Sequence, residues 1–230
     1  MEYREELKFL CSDYELALIR HRLNAVMQPD AHQTDDCYHI RSVYFDTIND
    51  DCFHENEAGI DERKKYRIRI YNCSDSKISF EIKEKKHAKT KKTSFPITRE
   101  LCDSILNGDT LPPAADASAA QQQVFLKEHL QLLRPRVIVD YERTAFVHPI
   151  GNVRITLDRN IAGSYRLNDF YNPDLMLIPV LEPHMHVLEV KYDELLPDFI
   201  AQAIEINTLR HTSFSKYYLC RQSSNLIYDF

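Results

Sequence analysis

Five stretches of this chain alternate residue by residue between apolar and charged side chains, and any fold must satisfy that period of two. In YRIRIY (66–71), Arg67 and Arg69 share one face with Lys65, while Tyr66, Ile68 and Ile70 take the other. FEIKEK (80–85) sets Glu81, Lys83 and Lys85 against Phe80 and Ile82. VRITLD sets Arg154, Thr156 and Asp158 against Val153, Ile155 and Leu157. VLEVKY sets Glu189 and Lys191 against Leu188 and Val190, and EELKF puts Glu6 and Lys8 together. One such strand is the ordinary product of a sheet with a wet face. Five with the same mixture of guanidinium, ammonium and carboxylate are not. Helices with apolar stripes need a sheet face to cover, so the apolar faces should lie outside. The charged faces then converge inward on one polar cavity.

The remaining elements support an α+β fold. A strand over 6–10 leads into a helix that Ser12 and Glu15 start as a capping box, with Leu16, Ile19, Leu23 and Met27 at helical spacing up to Pro29. Residues 38–46 (YHIRSVYFD) read as a strand. The two basic strands form a hairpin across a polar turn at 72–77, with a further strand near 94–97. A helix follows Thr98 and ends at Gly108. Residues 110–123 read as a surface loop, and a helix spans about 122–133. Strands at 136–147, 153–158 and 186–191 precede a last helix from Pro197 to about Leu209. These short connections imply an antiparallel sheet, and 230 residues suffice for a single domain over 1–230.

Charge says what the cavity would hold. Residues 63–92 carry 12 of the 29 Lys and Arg and three acids, a local charge of +9 in a chain of net charge −6. Basic charge confined to strand faces of an acidic protein suits a compact polyanion better than a long nucleic acid. Converging cations repel by about 4 kcal/mol per pair at 4 Å and an effective dielectric near 20. Interleaved carboxylates lower that cost and offer oxygen ligands to Mg²⁺ or Mn²⁺. A triphosphate with its metal would neutralise the remaining excess. Only four glycines occur, which excludes a P-loop and a GxGxxG fingerprint, so side chains must grip any phosphate.

Other classes are excluded more simply. No apolar run approaches the ~20 residues of a membrane helix and no export signal opens the chain, so a cytoplasmic protein is expected. The six cysteines contain no CxxC pair and read as reduced, mostly buried thiols. His184 and His186 share a strand face but bring no further zinc ligands with them.

In order along the chain, REELKF, RSVYFD, RKKYRIRIY, FEIKEK, VDYER, VRITLDR, VLEVKY-x-x-x-LP and SFSKY resemble the VTC (vacuolar transporter chaperone) domain. That domain is the polyphosphate polymerase module of the CYTH, or triphosphate tunnel metalloenzyme, superfamily. The resemblance implies a closed antiparallel β-barrel of about eight strands with helices packed outside. It also implies transfer of the γ-phosphate of ATP to polyphosphate with Mn²⁺ or Mg²⁺. By motif, Arg67, Arg69 and Lys83 would hold the transferring group. Lys8, Arg41, Lys85, Lys92, Arg154, Lys191 and Lys216 would bind phosphates, and Glu189 with Glu6 the metal. The superfamily's ExExK signature stands here as Arg4, Glu6 and Lys8, one carboxylate short. The implied partners are ATP or another triphosphate and polyphosphate, with no nucleic acid and no membrane segment; an unidentified partner subunit is left open. A tunnel-fold triphosphatase, using Glu6 or Glu81 to orient water, is the second reading. A non-catalytic polyphosphate or inositol polyphosphate binding module is the third.

Overall fold

The computed structural model describes residues 5–31, 33, 35–86, 89–108, 122, 133–206 and 208–225. The expected loop at 110–123 and helix at 122–133 lie outside these, apart from Gln122 and Leu133. Eight long strands carry the architecture: β1 (Glu5–Ser12), β3 (Tyr38–Asp46), β4 (Arg63–Tyr71), β5 (Ser74–Lys86), β6 (Lys89–Pro96), β7 (Arg134–His148), β8 (Val153–Ser164) and β10 (Met185–Tyr192). The two-residue strands β2 (Gln28–Pro29), β9 (Ile178–Pro179) and β11 (Arg210–His211) complete one eleven-stranded antiparallel sheet. Its order is β11-β1-β10-β8-β7-β3-β4-β5-β6, with β2 on β7 and β9 on β8.

This corrects the expected barrel. Among the described residues the sheet has eleven strands rather than about eight, and no backbone ladder joins β6 to β1 or β11. It curls until the strands near its two ends meet through side chains instead: Lys83 Nζ of β5 lies 2.8 Å from Glu6 Oε2 of β1. Charged side chains at a seam can bridge a gap that a backbone ladder cannot span.

The helices are α1 (Asp13–Val26), α2 (Asp51–Glu57), α3 (Arg99–Asn107), α4 (Asp198–Ile204) and α5 (Lys216–Asn225). The capping box on α1 forms as the sequence predicts, with Ser12 N donating to Glu15 Oε2 at 2.8 Å. Gly108 ends α3 at φ 84°. Helices α2 and α5 have no counterpart in the sequence reading, being short and lacking the start and stop residues that marked α3 and α4. The helix expected from Pro197 stops at Ile204, because the chain then turns to place Arg210 and His211 beside β1.

Helices cover the outer, apolar face in two patches. Leu16, Ile19 and Leu23 of α1 and Ile200 of α4 pack on Leu188 and Val190 of β10 and Ile155 and Leu157 of β8. A larger cluster joins Val43 and Phe45 of β3, Ile68 and Ile70 of β4 and Phe80 of β5 with Phe53 of α2 and Cys102 of α3. Burial of this order contributes about 1.5–3 kcal/mol per large apolar side chain and holds the curl. The charged faces are therefore turned inward. No helix among the described residues is long and apolar enough to cross a membrane.

Candidate functional site: a basic cavity inside the curled sheet

The inward faces enclose a cavity of about 490 Å³ lined, among the described residues, by ten Lys and Arg and three Glu. The strand register sets who meets whom. Lys65 stands opposite Lys83 across β4 and β5, Arg67 opposite Glu81, and Lys83 opposite Lys92 on β6. Glu189 of β10 faces Lys8 of β1 on one side and Thr156 of β8 on the other.

Buried carboxylates hold the cations apart from below. Glu81, 2% exposed, accepts from Arg67 Nε at 2.8 Å and Nη2 at 2.5 Å and from Lys92 Nζ at 2.8 Å, with Arg69 at 3.8 Å. Asp158, wholly buried, takes both forks of Arg143 at 2.7 Å and the Lys216 ammonium at 2.6 Å. Glu189 binds Lys191 at 2.6 Å and lies 3.6 Å from Arg143. Glu6 lies between Lys83 and Lys8, 2.8 Å and 3.0 Å away. Tyrosines finish the positioning: Arg67 Nη1 donates to Tyr44 OH at 2.8 Å and Arg69 Nη2 to Tyr141 OH at 3.1 Å.

The electrostatics record a surplus of positive charge. Burial pushes Glu81 and Glu189 up, yet the surrounding Arg and Lys hold both below the usual carboxylate range. Burial and Glu189 likewise push Glu6 up, but Lys83, Lys191 and Lys8 outweigh them and leave it at about 2. Lys83 shows the opposite strain. Burial, then Lys8 and Lys191, push it down to about 7 against the pull of Glu6 and Glu189. Lys65 falls well below the ordinary lysine value through burial, Lys8 and Lys83, its ammonium donating to neutral oxygens, Asn56 Oδ1 at 2.8 Å and Ser215 Oγ at 2.7 Å. An incoming polyanion would relieve this crowding.

Most of the sequence-derived residues come together here. Lys8, Arg67, Arg69, Lys83, Lys92, Arg154, Lys191, Lys216, Glu6 and Glu189 all line the cavity. Lys92 sits at the rim, its side chain 45% exposed. Arg154 is held by Asp30 and by Tyr38 OH. Lys85 lies just outside, in an adjoining pocket that shares Glu6, Lys8, Lys65 and Lys83.

Arg41 is the correction. Expected on the tunnel wall, it points to the opposite face, since it shares the parity of Val43 and Phe45. There its Nε donates to Asp140 Oδ2 at 2.6 Å and its Nη1 to the carbonyls of Phe170 at 3.1 Å and Asn172 at 2.6 Å.

The sequence reading passed over Lys65, although it shares a face with Arg67 and Arg69, and gave Glu81 only as a carboxylate that could orient water in the triphosphatase reading. It also passed over Arg143, whose signal was its place in VDYER, and Asp158 in VRITLDR. Ser215, Tyr44 and Tyr141 carried no signal beyond their motifs.

Of the three Glu lining the cavity among the described residues, Glu6 and Glu189 could share a metal, since both lie against Lys8. No group of three or more His, Cys, Asp or Glu that could hold a metal occurs among the described residues. Two carboxylates fit a Mg²⁺ or Mn²⁺ ion that arrives with phosphate oxygens and keeps them as ligands; they do not make a cage built from protein alone.

The fold recurs in known structures. A provisionally assigned adenylate cyclase from Vibrio parahaemolyticus superposes with a TM-score of 0.54 at 12% identity, over 95% of this chain and 97% of that one. Another, from Bacillus halodurans, gives 0.51 at 13% identity, over 99% and 89%. No curated protein matches the sequence. At such identities the likeness concerns the fold alone. The VTC domain family, however, matches residues 3–225, nearly the whole length, and the chain belongs to that family.

Proposed function

We propose that the cavity is a phosphotransfer site that moves the γ-phosphate of ATP onto a polyphosphate chain. The observation that carries this reading is the convergence of ten Lys and Arg on one enclosed hollow, each deep arginine fixed by a buried carboxylate or a tyrosine hydroxyl. Phosphoryl transfer asks for positioning and charge neutralisation rather than covalent chemistry from the protein. Arg67, Arg69 and Lys83 hold the transferring group. Arg154, Lys191, Lys216 and Lys8 grip the flanking phosphates, and Lys92 guides them at the rim. Glu6 and Glu189 would hold a divalent ion, which when bound neutralises phosphate charge.

An acceptor phosphate is already an anionic nucleophile and needs no general base. Hydrolysis would need a carboxylate able to take a proton from water. Glu6, Glu81 and Glu189 all sit below the usual range and are feeble bases, which favours transfer.

The test is incubation of the purified protein with ATP and Mn²⁺ or Mg²⁺, reading polyphosphate and free phosphate together. Long polyphosphate is expected. Stoichiometric free phosphate would make the protein a triphosphatase, and salt-dependent binding without turnover would make it a binding module. Arg67→Ala and Glu189→Ala should each abolish turnover while the fold persists; full activity in either overturns the assignment.

A further inference from the structure

A second cluster of reactive side chains lies away from the cavity, at the β4–β5 turn. Asn72 and Cys73 form this turn with φ of 50° and 55°. A two-residue hairpin loop with both centres at positive φ favours glycine in the second place, so cysteine holds an uncommon backbone here. The turn is fastened to the start of β3. Asn72 N donates to His39 O at 3.0 Å, and Asn72 Oδ1 accepts from His39 N at 2.8 Å.

That fastening sets Cys73 Sγ 3.8 Å from His39 Nδ1. His39 Nε2 lies 2.7 Å from Asp140 Oδ1, while Arg41 engages the other carboxylate oxygen at 2.6 Å. A carboxylate oxygen only accepts, so His39 carries a proton on Nε2, and the neutral imidazole then turns its Nδ1 lone pair toward the thiol. Nucleophile, base and orienting carboxylate thus stand in the order that activates a thiol. Both reactive groups are reachable: Cys73 is half-buried and the His39 side chain is 30% exposed. Arg41 acquires a use here, since it holds Asp140 beneath the imidazole.

We propose that Cys73 is a nucleophilic thiol, with His39 as its base and Asp140 as the positioning carboxylate, and that it takes up a thiol adduct from low-mass disulfides. Cys73 Sγ attacks one sulfur of the disulfide as its proton passes to His39 Nδ1. The new S–S bond forms while the old one breaks, and the departing thiolate takes the proton from His39. One thiol and one disulfide give one thiol and one mixed disulfide. Burial, with Asp140, holds the thiol above its usual range against the opposing pull of Arg41. The rate therefore rests on His39 acting during the attack.

Cys37 is the internal control, being the other half-buried cysteine; Cys11, Cys52, Cys102 and Cys220 are buried. The folded chain is exposed to glutathione disulfide at neutral pH, and the adduct at each cysteine is followed by peptide mass spectrometry. General-base assistance predicts that Cys73 reacts roughly tenfold or more faster than Cys37. His39→Gln should bring Cys73 down to the Cys37 rate or below and leave Cys37 unchanged. Should that variant fail to fold, unfolding the native chain in urea should erase the lead of Cys73. Reaction at Cys73 no faster than at Cys37, or a lead that survives in folded His39→Gln or in urea, overturns the proposal.

Discussion

Arg41 on Asp140 and Arg67 on Glu81 are two arginine–carboxylate pairs drawn from neighbouring regions of one sheet, with contacts of 2.6 Å and 2.5 Å. They differ in what closes over them. Two backbone carbonyls cap Arg41 and leave it 1% exposed, so its charge is answered on every side. Arg67 opens on a cavity where cations outnumber carboxylates, and its Glu81 is shared with Lys92. The same chemistry is a structural joint on one face and, in the proposed function, an anion site on the other. Surplus charge, rather than charge itself, marks the site.

The sharpest way to break this comparison is Arg41→Ala. Removing this guanidinium leaves Asp140 buried with His39 as its one remaining ion-pair partner among the described residues, which should cost about 3–5 kcal/mol in chemical denaturation. Arg67→Ala should cost less, about 1–2 kcal/mol, because Glu81 keeps Lys92 and Arg69. Its triphosphate affinity, read by calorimetry, should nonetheless collapse. If the larger stability loss fell on Arg67, the two faces would have been assigned the wrong way round.

A pH titration sharpens the contrast next. Lys83 sits near 7 in the free protein, and bound phosphate oxygens would raise it. Above about 7 binding must then take up a proton, so affinity falls with rising pH by up to roughly tenfold per unit. Lys83→Arg, which stays charged, should flatten that slope. Stability moves the other way. The unfolded chain binds more protons at this lysine between about 7 and 10.5, so this group's contribution to stability grows as pH rises through that window. Glu6 behaves as a depressed carboxylate, its contribution being lost as pH falls from 4.5 toward about 2.

The smallest expected effect is a control. Ser12→Ala removes the cap of α1 and should cost about 1 kcal/mol while leaving triphosphate affinity intact. A matching loss of binding would mean that the cavity responds to any weakening of the fold.

The long strands were legible because alternation survives wherever one face is apolar and the other charged, as in YRIRIY and FEIKEK. Residues 38–46 were legible as a strand but not as a surface. In YHIRSVYFD both parities carry aromatic and aliphatic residues, so the side that Arg41 takes could not be read from spacing. The short helices α2 and α5 escaped because two to three turns leave little period to detect and neither carries the punctuation that Thr98, Gly108 and Pro197 gave α3 and α4. Lys216 was found through its motif, SFSKY, and not through any helix.

The sequence by itself determined the curl's chemistry, since a strand's period of two sends charge and grease to opposite faces whatever the neighbours. The tertiary structure decided the rest. Only the strand order brought Glu6 beside Lys83 across an unpaired seam, and only the register placed Glu81 beneath Arg67 and Asp158 beneath Arg143. Ion pairing depends on distances of a few ångströms between strands far apart in the chain, and no local pattern encodes those.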